Sequence, residues 1–205
     1  MPDGDLAGDN KRRGRRRRSQ RGAPPDPLLS APLRDVVQSL GIDRWDVVII
    51  GDGSGSTWDK ACGWSAVAIE RESSLRTTFY GGLSGGNVNL AELLPYLQAL
   101  LWYTSVNGPK LQAKLKRRPR LHIVTDSRLA ADQGNGRARR NVNGEIWAAI
   151  DAVALRGYDL RWHWMGRERT GLNVLTDHLS KAARRAIADV KLPKDTSVHD
   201  LNPSE

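Results

Sequence analysis

The chain has 205 residues, enough for one domain with a tail and a sizeable buried core. A single cysteine, Cys62, excludes an internal disulfide framework and a cysteine-based zinc site, and no apolar run approaches the roughly 18 residues a membrane span needs. A net charge of +9 and a pI near 10.1 point to a polyanionic partner. The lone cysteine, the missing apolar span and a charged N-terminus lead us to expect no membrane and a reducing, soluble compartment: cytoplasmic, nucleoid-associated in a bacterium, nuclear in a eukaryote or virus.

Residues 1–33 are rich in Gly, Pro, Arg and Asp without hydrophobic periodicity, and are expected to form a disordered basic arm. Within it, "KRRGRRRRSQR" (residues 11–21) carries eight positive charges and no acid. Such a run attracts nucleic-acid phosphates without needing structure, although a solubilising or nuclear-targeting tail has the same composition.

A short helix is expected near residues 31–40, ahead of a domain spanning 45–189. "WDVVII" reads as a strand buried on both faces, ending in Asp52 and a flexible Gly/Ser loop. "GWSAVAIERE" and "LRTTFYGG" alternate and complete a three-strand antiparallel meander. A leucine-rich helix follows over residues 89–106, with Pro95 placed in its first turn or at a kink. "NGPKLQAKLKRRPR" reads as an exposed basic loop.

"LHIVTDS" is a strand ending at Asp126, followed by a short helix over "SRLAADQG". "GEIWAAIDAVALRG" is amphipathic with a terminal glycine cap, "YDLRWHWM" alternates as a strand, and the helix "NVLTDHLSKAARRAIADV" closes the domain. Residues 190–205 form a polar tail. Trp162 and Trp164 lie two apart in one strand, so both are expected to pack in the core. The four histidines show no metal-ligand spacing. The order implies an α/β fold with a mixed five-stranded sheet: an antiparallel meander plus two parallel strands, flanked by helices. No GxGxxG follows the first strand, which excludes a doubly wound dinucleotide fold.

Four acids stand where the fold does not require a carboxylate. Asp52 and Asp126 each end an apolar strand, Glu92 opens the leucine-rich helix, and Asp177 lies near the start of the last one. Each has a plain structural explanation: an Asx-turn for Asp52, helix capping for Asp126, dipole balance for Asp177. Together they are more informative, because four acids converging on one site are tolerable mainly around divalent cations.

In order, "DGSGSTWDKACGWSAVAI", "NLAELLPYLQAL", "VTDSRLA", "NGEIW" and "WHWMGRERTGLNVLTDHLSKAARR" resemble the type 1 ribonuclease H family over residues 45–189. The resemblance implies a ribonuclease H-like fold. It also implies an endonuclease that hydrolyses the RNA strand of RNA/DNA hybrids, working as a monomer. Asp52, Glu92, Asp126 and Asp177 are then the ligands of two Mg²⁺ ions, with Mn²⁺ able to substitute. The implied substrate contacts are the backbone at Gly53 and Ser54, with Asn89 and Asn143.

Two departures from the family's pattern are visible. Arg167 stands in the mobile loop where the family usually carries a histidine; it can hold phosphate and aid product release but cannot shuttle protons near neutral pH. The family's basic, Trp-containing protrusion is absent or reduced to "GNGRARRN" (residues 134–141), leaving the Arg-rich arm to tether nucleic acid. "GLSGGN" (residues 82–87) reads equally as a surface for close backbone approach or a plain connection, and Trp58 as a stacking residue or an edge cover. Two rival functions share the fold: a DNA nuclease or recombinase such as a transposase, integrase or junction resolvase, and a non-catalytic nucleic-acid-binding module. A DDE transposase places its Glu after the second Asp, whereas Glu92 precedes Asp126.

Overall fold

The computed structural model describes residues 31–56, 60–167 and 170–189. Trp58, the Arg-rich run and the polar tail lie outside these residues. The elements run α1 (Ala31–Ser39), β1 (Val47–Gly55), β2 (Ala61–Glu70), β3 (Arg76–Ser84), α2 (Val88–Val106), α3 (Gly108–Leu115), β4 (Arg120–Thr125), α4 (Arg128–Gly134), α5 (Gly144–Leu155), β5 (Asp159–Trp164) and α6 (Gly171–Asp189).

The strands form one sheet in the order β3-β2-β1-β4-β5. The first three are antiparallel neighbours, and β4 and β5 run parallel to β1, giving the mixed sheet expected from the sequence. Alternation along β1 divides the core in two. Val47 and Ile49 join Leu93, Tyr96, Leu100, Trp147 and Ile150 on the α2/α5 side. Val48 and Ile50 join Leu33, Val36 and Leu172 on the α1/α6 side.

The "DGSG" segment is not a flexible loop: β1 continues through it to Gly55. Its glycines alternate, and all three face α2. A Cβ on Gly51 would meet the Tyr96 ring at 2.7 Å, one on Gly53 the Ala91 carbonyl carbon at 2.3 Å, and one on Gly55 the Val88 side chain at 2.8 Å. Helix and strand are therefore closer than any side chain at these positions would allow.

Three further expectations are corrected. Pro95 is in neither the first turn nor at the helix start, because α2 begins at Val88 after Asn87, whose side chain accepts from Leu90 N at 2.9 Å. The proline leaves Ala91 O without its usual i+4 amide donor, and that carbonyl is the one lying against Gly53. The basic "loop" contains α3, since Gly108, Pro109 and buried Leu111 give it a start and an apolar anchor. Trp162 is buried as expected, but Trp164 at the strand's end is 46% exposed, with the Arg128 guanidinium of α4 5.3 Å from its ring centroid.

His122 and His163 stack with ring centroids 5.0 Å apart, and His122 Nδ1 lies 2.9 Å from His163 Nε2. His122 Nε2 faces the Arg44 carbonyl at 3.1 Å and so must carry the hydrogen. Burial, then the neighbouring His163, pushes His122 down to about 4, so the ring is neutral near pH 7. His178 is exposed.

The close α2–β1 contact gives a stability prediction. Gly53→Ala should cost about 1–3 kcal/mol in urea unfolding, because its methyl group would overlap backbone rather than a movable side chain. Gly144→Ala, with nothing within 4 Å of the added carbon, should stay within about 0.5 kcal/mol of the parent.

Candidate metal centre

The parallel ladder between β1 and β4 ends at the pair Ile50 and Val124. Just beyond it the Tyr96 hydroxyl sits between two carbonyls, 2.8 Å from Gly51 O and 3.2 Å from Val124 O. Past this point neither strand pairs with the other, and ends of adjacent parallel strands of this kind are where open α/β sheets leave room for ligands. Asp52 and Asp126 occupy these two ends. Asp126 does not cap α4; Ser127 does, accepting from Ala130 N at 3.3 Å. The Trp164 indole N–H instead holds the Asp126 backbone carbonyl at 3.0 Å.

Glu92 arrives from the opposite layer. It is the fifth residue of α2, beyond the first turn where the helix dipole would favour an acid, so capping does not account for it. The glycine face of β1 brings its turn of the helix against Gly53. Asp177 likewise falls in the second turn of α6, the seventh residue after a start at Gly171. Helix α6 packs on β2 where Gly63 has no side chain: a Cβ there would lie 2.0 Å from Ser180 O. Ser65 Oγ donates to Thr176 O at 2.7 Å and fixes the same contact.

These elements bring ligand oxygens of Asp52, Glu92 and Asp126 within 4.8 Å of one another. Asp177 lines the same cleft with Asp52, Asp126, Arg167, Thr176 and Lys181. Asp52 Oδ2 accepts from Ser180 Oγ at 2.5 Å, Asp126 Oδ2 from Arg167 Nε at 2.7 Å, and Asp177 Oδ2 from Lys181 Nζ at 2.7 Å. Glu92 Oε2 and Asp126 Oδ1 are buried without a hydrogen-bond partner.

The electrostatics set these acids apart from the other buried carboxylate of the same segment. Asp46, just before β1, is also desolvated, but it receives both terminal nitrogens of Arg117 at 2.7 and 2.8 Å and the Arg120 amide at 2.7 Å. Those bonds outweigh its burial and hold it below the usual carboxylate range. At the other end of β1, among the described residues, no arginine pairs with Asp52 or Glu92 in this way, and the pull of Arg167 is the smallest contribution on each. Burial, with Asp126 and Asp177 adding repulsion against the Ser180 bond, pushes Asp52 up to about 6. Burial, then Asp126 and Asp52, pushes Glu92 up to about 8.

An oxygen-only donor set with two orphaned buried oxygens and two acids held above their ordinary range fits a hard divalent cation such as Mg²⁺. Of the other residues singled out by sequence, Arg167 reaches the cleft. Gly53 is buried against α2, Ser54 is half-buried beside it, and Asn89 is exposed one turn before Glu92. Asn143 stands in the left-handed region before α5, with Nδ2 buried and unpartnered. None of these four lines the acidic cleft. Sequence reasoning missed Ser180, Lys181 and the Trp164 bond. The first two were findable, because i+3 and i+4 from Asp177 share its helical face.

The architecture is that of the type 1 ribonuclease H-like fold. No protein-family profile and no curated protein sequence matches the chain, so the likeness is one of structure. The ribonuclease H1 called LC11, isolated from compost by a metagenomic approach, is 18% identical with a TM-score of 0.58, over 70% of this chain and 99% of that one. A second structure of LC11, in complex with RNA/DNA hybrid, gives a TM-score of 0.54 at 18% identity over 69% and 98%. The N-terminal ribonuclease H domain of a Mycobacterium tuberculosis protein is 21% identical with a TM-score of 0.53, over 67% of this chain and 98% of that one.

The raised acids make their own contribution to the pH dependence of the metal-free protein. Below about pH 4 both groups are protonated whether the chain is folded or not, and nothing is lost. As pH rises toward about 6 for Asp52 and about 8 for Glu92, the unfolded chain ionises first and stability falls; above that range the loss is constant. Thermal melts in EDTA should therefore show the gap between Glu92→Gln and wild type widening in the variant's favour from pH 4 to 8. A gap that does not change with pH contradicts the assignment.

Proposed function

We propose that the chain is an endonuclease that hydrolyses the RNA strand of RNA/DNA hybrids with divalent metal ions, Mg²⁺ or Mn²⁺, held by Asp52, Glu92, Asp126 and Asp177. The observation that carries this reading is the convergence of three carboxylates within 4.8 Å with orphaned buried oxygens. A pair of such ions, when bound, supplies an activated water and stabilises the leaving oxygen of a phosphodiester.

The protein's own groups then have separable roles. Ser180 fixes one oxygen of Asp52, and the Trp164 bond fixes the backbone of Asp126, so both carboxylates are oriented before a ligand arrives. Arg167, 76% exposed at its side chain, is a cation of the cleft lining and is suited to a phosphate oxygen. Selecting RNA requires reading 2′-hydroxyls across a shallow minor groove. From Gly51 onward the β4-facing edge of β1 has no strand partner, which supports a backbone contact at Gly53 and Ser54. Asn89 is exposed one helical turn from Glu92, and Asn143 carries an unpartnered amide. The hybrid complex of LC11, a chain with this fold, is consistent with this substrate class.

A labelled RNA/DNA hybrid, run on a gel with and without Mg²⁺, tests the reading. Wild-type protein should cut only the RNA strand and only with metal, and Asp126→Asn should slow cleavage by about a thousandfold or more while the fold persists. Intact hybrid under both Mg²⁺ and Mn²⁺ contradicts it. Removing residues 1–21 should weaken hybrid binding and flatten its salt dependence, by about 0.9 in log–log slope for each phosphate the arm neutralises, with cleavage at saturation nearly unchanged. An unchanged slope removes the arm from substrate binding.

A further inference from the structure

The four acids of the cleft are not compensated alike. Glu92 Oε2 and Asp126 Oδ1 are buried without partners, and Asp52 receives only the Ser180 hydroxyl. Two of the acids also hold a cation: Arg167 on the other oxygen of Asp126, whose side chain is only 7% exposed, and Lys181 on the more open Asp177. Arg167 belongs to a connecting loop. Lys181 belongs to α6, one turn after Asp177, so its Cα is fixed and only its four-carbon stem can move. Its side chain is 50% exposed and that of Asp177 is 32% exposed, so the pair stands at the solvent boundary of the cleft it lines.

We propose that Lys181 is an exchangeable counter-ion, which neutralises Asp177 while that carboxylate is free and turns to a substrate phosphate once a divalent cation takes the carboxylate. The inference rests on the metal-dependent reading above and adds a substrate-positioning residue to it. A divalent cation held by Asp177 would repel the ammonium that lies 2.7 Å from its Oδ2, and so would weaken the lysine's hold on the carboxylate. Metal held there would therefore favour release of the ammonium. Lysine has three donors and no acceptor, so once released it needs an acceptor or water. Among the described residues the other carboxylates lining the cleft are proposed metal ligands or partners of Arg167, and the phosphate of the bound strand is the acceptor that then suits the ammonium.

The two halves of this exchange have opposite signs, which separates it from a purely structural role. In Lys181→Met the stem is kept and the charge removed. Calorimetric titration of Mn²⁺ into the metal-stripped full chain should then show a Kd about two- to fivefold lower than wild type, the range of an exposed ion pair that no longer has to be broken. In the same variant KM for the hybrid should rise about two- to fivefold, kcat should stay within about twofold, and the salt slope of KM should fall by about one ion. Lys181→Arg, which keeps the charge, should restore both values. Metal binding in Lys181→Met that is unchanged or weaker overturns the counter-ion role, and an unchanged KM overturns the hand-over to phosphate. A wild-type chain that takes up no Mn²⁺ overturns the metal-dependent reading itself, and this inference with it.

Discussion

The site depends on how closely α2 can lie against β1. Gly51, Gly53 and Gly55 present no side chain toward the helix, and a methyl group on Gly53 would sit inside the backbone of Ala91. This close approach has a cost, since glycine in a strand lacks both packing area and conformational restraint. What it achieves is positional. It carries Glu92 from the α2 layer to the end of β1, where Asp52 points toward the α6 layer, and the two carboxylates meet around the end of the strand. Pro95 belongs to the same arrangement, because the carbonyl it leaves without an amide donor is the one facing Gly53.

The second constraint is electrostatic. A fold selected only for stability would treat Asp52 as it treats Asp46, with a bidentate arginine and a backbone amide. Asp52 and Glu92 are instead kept in a low-dielectric site with each other and Asp126 as neighbours, and their charged forms are disfavoured near neutral pH. Buried acids left uncompensated in this way are characteristic of functional sites, where an external cation completes the charge balance. Asp126 and Asp177, by contrast, each pair with a cation, Arg167 and Lys181.

Much of this was legible in the sequence. Apolar runs placed β1 and β4, alternation placed β2, β3 and β5, leucine spacing placed α2, and the order of an Asp at a strand end, a helical Glu, a second strand-end Asp and a helical Asp singled out all four acids. The misreadings share a cause. "DGSG" looked like a loop because glycine is locally permissive; only the facing helix explains why a strand carries it at alternate positions. Trp164 looked like core because Trp162 is, but at the strand's end it stays 46% exposed. Helix α3 was hidden by lysines and arginines that mask one buried leucine, Leu111. Lys181 sat in plain view one turn from Asp177, and the i+4 spacing alone offered that acid as its partner; that the pair lines a cleft emerged only once α6 was docked through Gly63 and Ser65.

The central claim is that these carboxylates converge to hold divalent cations. Calorimetric titration of Mn²⁺ at pH 7, repeated in buffers of different ionisation enthalpy, measures both uptake and the protons it displaces. Glu92, held near pKa 8, is mostly protonated at that pH, so binding should be saturable and release about one proton, with the release largely lost in Glu92→Gln. No saturable uptake, or the same proton release from wild type and Glu92→Gln, would contradict the account.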